Sequence, residues 1–68
     1  MNDINIWDYE YENNVRIKTN DGQEFVGTVI DIQYADESEN GENIVAIETD
    51  HGIFGISESE IAEIGKEK

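Results

Sequence analysis

Apolar and polar residues alternate along much of the chain, and that alternation sets the expected elements. Val15, Ile17 and Thr19 share one side and Arg16 and Lys18 the other, which predicts a strand with one wet face. Asn20-Asp21-Gly22 follows as a turn, with Gly22 supplying positive φ. In the next segment Phe25, Gly27 and Val29 share one parity, while Ile30, Ile32 and Tyr34 share the other. A flat strand would leave half of that set in water. The switch after Val29 therefore predicts a bulge, a sharp bend, or burial on both faces. Gly27 inside the strand permits close backbone approach and strong curvature. A strand bent in this way belongs to two sheets at once, which is how a small barrel closes.

Residues 35–43, ADESENGEN, read as a polar acidic loop. Ile44 to Thr49 is a compact apolar strand, Thr49-Asp50-His51-Gly52 a turn, and Ile53 to Ile56 a fourth strand with its own Gly55. Ser57 to Glu60 has the S-x-x-E pattern of a capping box and predicts a single helical or 3₁₀ turn. Ile61 to Ile64 gives a short last strand, and residues 65–68 a frayed tail. Five short strands with glycine at the bends predict a mainly β fold, a small five-stranded and strongly bent barrel over residues 15–64. Residues 1–14 fit two patterns. Ile4, Trp7 and Tyr11 fall on one face of a short helix capped by Asn2 or Asp3, yet Ile6, Asp8, Glu10 and Glu12 alternate with Trp7, Tyr9 and Tyr11 as in a strand. A short N-terminal helix or irregular arm lying on the barrel is the favoured expectation.

Composition sharpens this picture. The aliphatic set is eleven Ile and four Val with no Leu, and β-branched side chains suit a pleated, half-buried surface. Ile, Asn, Glu and Lys are also favoured by AT-rich codons, which suggests a low-GC bacterium or its phage. At 68 residues the chain makes one domain, which buries only about 60% of its unfolded-chain surface. The absence of Cys excludes disulfides and thiolate metal sites and fits a reducing, cytoplasmic setting. Self-association is then the expected source of extra burial. Seventeen acids against four bases give a net charge of −13, which opposes direct nucleic-acid binding and contact with anionic membranes. The sequence contains no long apolar run, so neither a transmembrane span nor a signal peptide is expected.

With these strands in place, the stretch from Val15 to Ile32 resembles the first motif of the Sm-like (LSm) small-barrel family. Val15 and Ile17 stand in its first strand, Asp21-Gly22 at its turn, and Phe25, Gly27 and Val29 in its bent second strand. Ile53-Phe54-Gly55 resembles the Ile-Arg-Gly of the second motif. The segment from Ile56 to Ile64 resembles the close of the Sm-like C-terminal domain of bacterial ribosome-maturation factors. SH3-like and KOW-like barrels share the same spacing of Val and Gly and stay open as alternatives. The resemblance implies a barrel that forms rings through exposed strand edges. It does not imply RNA binding. Gln33, Tyr34 and Glu37 stand where RNA-binding Sm proteins are expected to carry Asp and Asn, and Phe54 stands in place of the RNA-contacting Arg.

Chemistry-bearing patterns are sparse. Asp36, Ser38, Asn40 and Gly41 match the first half of an EF-hand loop, but the twelfth position is Ile47 rather than Glu and the eighth is Asn43. The loop is read as a solvated acidic hairpin connection, and no metal or cofactor is expected. His51 beside Asp50 has no Ser or Cys in a nucleophile context, so no catalytic residue is assigned and the chain is read as a non-enzyme. The candidate partner-binding residues are Trp7, Tyr9, Tyr11, Asp36, Glu37, Glu39 and Glu42, and the structural set is Gly22, Phe25, Gly27, Val29 and Gly55. The expected function is an interaction or adaptor module that self-associates and binds a protein. The alternative is an acidic mimic of nucleic acid that blocks a DNA- or RNA-binding enzyme. RNA binding through the Sm surface comes third.

Overall fold

Alternation in the first strand translates directly into burial. In β1 (Val15–Thr19) the residues Val15, Ile17 and Thr19 are buried while Arg16 and Lys18 stay half-exposed. The computed structural model describes residues 5–37 and 41–67, with five antiparallel strands. The others are β2 (Glu24–Gln33), β3 (Ile44–Thr49), β4 (Gly52–Ser57) and β5 (Ile61–Lys66). Spatial order is β4-β3-β2-β1-β5, so neighbours in sequence pair as hairpins except that β5 returns to β1. The sheet is strongly bent and barrel-like.

β2 is the hinge of that bend. Its first residues, Glu24 to Gly27, pair with β1, and Thr28 to Gln33 pair with β3. The register with β3 slips between Val29 and Asp31, leaving Ile30 as the extra residue of a bulge. The slip lets Val29 and Ile32, of opposite parity, both enter the core, while Ile30 and Tyr34 stay on the surface. Gly27 sits at the handover between partners. A Cβ there would lie 1.9 Å from the backbone oxygen of Glu48, so only a residue without a side chain lets β3 come this close.

The core among the described residues is Ile6, Val15, Ile17, Val29, Ile32, Val45, Ile47, Ile56 and Ile61. Every β strand supplies at least one of these, and the N-terminal arm supplies Ile6 at 0% exposure. The arm is a 3₁₀ turn over Ile6–Tyr9, whose cap is Asn5: its side-chain oxygen accepts from the Trp7 N–H at 3.2 Å. Asn2, Asp3 and Ile4 lie outside the described residues. The turn anchors through Ile6, which neither periodic pattern had placed on the buried side. Beyond it the arm is tied down: the Glu12 carbonyl accepts from the Val29 N–H at 3.0 Å, and the Thr28 hydroxyl bonds Asn13. The arm thus satisfies a backbone donor of β2 beyond Gly27, where the pairing with β1 ends.

Two boundaries differ from expectation. β5 continues through Gly65 and Lys66, so these are strand residues and not a frayed tail. Lys66 stands opposite Val15, its ammonium lies 2.9 Å from Glu12, and the Glu67 N–H donates to the Asn14 carbonyl. These bonds to the arm hold the strand in register two residues beyond its last large apolar side chain. The acidic loop also opens with a 3₁₀ turn over Ala35–Glu37. The 3₁₀ turn at Glu58–Glu60 forms, but Ser57 makes no side-chain cap bond to it. Asn43 holds that turn instead: its carbonyl accepts from the Glu58 N–H and its side-chain amide bonds the Glu58 carboxylate.

Candidate functional site

Two ends of the sheet are open, and they differ in chemistry. β5 carries Glu63 and Lys66, and its register with β1 slips at Lys18/Thr19; charges and irregularities of this kind discourage pairing with another chain. β4 reads Gly-Ile-Phe-Gly-Ile-Ser, without a charge in a chain that is 31% charged. Its register with β3 is unbroken from Thr49↔Gly52 to Ile44↔Ser57. Ile53 is 60% exposed and Phe54 37%. A regular, uncharged, apolar edge of this length is a template for an added strand.

Phe54 shares parity with the buried Ile56 and so turns toward the barrel interior at one mouth. There it meets Phe25 from the start of β2, ring centroids 5.1 Å apart and tilted by 46°. Recesses flank this pair. One, of 280 Å³, lies between β4 and the end of β1, with Thr19, Asp21, Gly55 and Glu60 on its walls. The other lies toward the β3–β4 turn and is lined by Glu24, Val26, Asp50 and His51. Glu24 is engaged there by Arg16 at 2.8 Å. That bonded carboxylate holds the guanidinium above its ordinary pKa.

At the far end of β2 a second aromatic pair forms. Trp7 stacks on Tyr34, centroids 5.1 Å apart and rings inclined by 29°. Tyr11 is 68% exposed with φ of 63°, whereas Tyr9 packs against the core. The structure thus divides the aromatic set of the arm: Tyr9 is part of the lid on the core, Trp7 is half of a stack, and Tyr11 faces water. Of the acidic candidates, Asp36 is exposed, and the Glu42 carboxylate accepts from the Ser59 hydroxyl at 2.6 Å. Glu37 lies at the end of its 3₁₀ turn, and Ser38, Glu39 and Asn40 lie outside the described residues. Gly22 takes the turn's positive φ of 90°, and Val29 is fully buried. A Cβ on Gly55 would meet only the movable Cγ2 of Ile44, at 3.3 Å.

Among the described residues no three His, Cys, Asp or Glu side chains cluster to hold a metal. No described helix is long and apolar enough to cross a membrane. Buried polar groups are few, and Thr19 is satisfied locally, its hydroxyl donating to Asp21 and accepting from the Gln23 N–H at 3.2 Å. Sequence reasoning missed Ile53, Phe54 and Tyr34 as surface features. The signal for the first two was present: the segment from 52 to 57 has no charge or proline to blunt an edge. Compared with known proteins, the chain matches no family model, no curated protein and no solved structure.

Proposed function

We propose that the protein is a non-enzymatic interaction module that lends the open edge of β4 to another polypeptide, associating with copies of itself and with a partner protein. The single observation that supports this most is the regular, charge-free β4 with Ile53 in water. A small core that leaves such an edge uncovered gains burial by pairing it. The topology β4-β3-β2-β1-β5 and the bent β2 agree with the Sm-like or SH3-like barrel that the strand spacing resembles. Fold likeness alone assigns no partner. Mimicry of nucleic acid draws only on the net charge of −13.

Sedimentation over a range of concentrations tests self-association. The expected result is a mass that rises with concentration for the native chain and stays monomeric for Ile53→Lys, which places a charge on the edge without touching the core. A native chain that is monomeric throughout overturns self-association. Equal association of the Ile53→Lys variant overturns the assignment to β4.

A further inference from the structure

The chemistry of the groove along β4 narrows what it accepts. The Phe25–Phe54 pair forms an apolar floor between two recesses. The fixed charges around that floor are carboxylates: Asp21 and Glu60 on one side, Glu24 and Asp50 on the other. Arg16 neutralises Glu24, and His51 is the sole basic side chain on either recess wall. Asp21 is held ionised by the Thr19 hydroxyl, so its charge persists to lower pH than usual. At 280 Å³ the recess beside β4 is just below the range of about 300–1,000 Å³ typical of small-molecule sites. It suits one or two side chains of a larger partner.

A second copy of this chain can pair with the backbone of β4, but at −13 it brings no charge complement to these carboxylates. A strand with basic residues brings the complement. Strand addition also sends alternate side chains to opposite faces, so one set lies over the aromatic floor and its flanking carboxylates while the other lies beside Ile53.

We propose that β4 and the Phe25–Phe54 groove bind an extended basic segment of a partner protein, the stems of its Lys or Arg side chains on the aromatic floor with their charges toward Asp21, Asp50 and Glu60, and its apolar side chains beside Ile53. This rests on β4 as the working edge and adds the chemistry of the incoming strand. Backbone pairing supplies register, the floor supplies burial, and the carboxylates speed encounter and reject acidic strands.

The test uses three labelled synthetic peptides: alternating Val and Lys, alternating Val and Glu, and the Val–Lys peptide N-methylated along one backbone edge. Anisotropy is read with the full chain, with an Asp50→Lys/Glu60→Lys variant, and with Ile53→Lys. The expected result is binding of the Val–Lys peptide only, about tenfold weaker for the double charge reversal. N-methylation abolishes binding, because the ladder bonds need the amide hydrogens. Added salt weakens binding without removing it. Equal binding of the N-methylated peptide reduces the contact to diffuse attraction and overturns the proposal, as does equal binding of the Val–Glu peptide. If the native chain self-associates through β4 but ignores the Val–Lys peptide, the basic-segment proposal fails while the edge itself stands. If neither occurs, both fail.

Discussion

Replacing Gly27 with alanine tests the bend most directly. The added Cβ would lie 1.9 Å from the Glu48 oxygen, 2.8 Å from the Glu48 carbonyl carbon and 3.2 Å from the Thr49 Cα. All three are backbone atoms, so no rotamer change relieves the clash. To restore ordinary contact at about 3.4 Å, β3 must retreat by about 1.5 Å beside Gly27. That displacement falls next to the Thr28↔Glu48 and Val29↔Ile47 pairs, the second of which joins two fully buried residues. Overpacking of this kind costs about 1–3 kcal/mol, and each ladder bond lost adds about 1 kcal/mol. The expected loss is therefore about 3–5 kcal/mol. A 68-residue domain has about 3–10 kcal/mol in all, so Gly27→Ala is expected to remove at least about a third of the stability, and all of it at the lower end of that range. Urea titration followed by far-ultraviolet circular dichroism measures it. Gly65→Ala is the control, since a Cβ there meets nothing within 4 Å, and its midpoint should shift little. A Gly27→Ala midpoint equal to the native one would refute the close crossing of β2 and β3.

Ile6→Ala should cost about 2–5 kcal/mol in the same titration, because Ile6 is fully buried; a negligible change would show that the arm is not part of the core. Across the bulge, Ile32→Thr should cost about 2–3 kcal/mol and Ile30→Thr less than about 1 kcal/mol, and reversal of that order would place the bulge elsewhere. Asp21 has its carboxyl pKa held below the ordinary value, chiefly by the hydrogen bond from Thr19; desolvation opposes this next, and the Gln23 N–H adds a lesser downward pull. Because the folded value is the lower one, the stabilisation is present above the ordinary aspartate range and is lost as pH falls through it. Asp21→Asn should therefore lower the midpoint at neutral pH and have little effect in acid; an equal effect at both would refute the linkage.

Much of the fold was legible because burial on one face leaves a trace of period two. β1 begins and ends where its alternation does, and β3 fills the compact apolar segment from Ile44 to Thr49. The parity switch after Val29 could be resolved by a bulge, and the slip between Val29 and Asp31 supplies one. The arm was less legible, since a single 3₁₀ turn is too short to impose a period, and its buried residue, Ile6, looked polar-sided in one pattern and neutral in the other. The full length of the last strand is not legible because Gly65 and Lys66 carry no apolar signal; Lys66 and Glu67 are held by bonds to Glu12 and Asn14 from the opposite end of the chain. Aromatic pairing was illegible for a different reason. Phe25 and Phe54 meet only once the sheet has curled, and residue spacing records nothing of that.

The return of β5 to β1 shapes how the molecule is assembled in time. Every other pairing joins neighbours along the chain, but Val15 meets Lys66 across nearly its whole length. Closing a loop some fivefold longer than a hairpin loses about 1.4 kcal/mol more chain entropy, so this step comes late. Until it happens, β1 and β4 both present bare rims to any neighbouring molecule. Mutual repulsion between highly anionic copies then keeps encounters brief while the final strand finds its place.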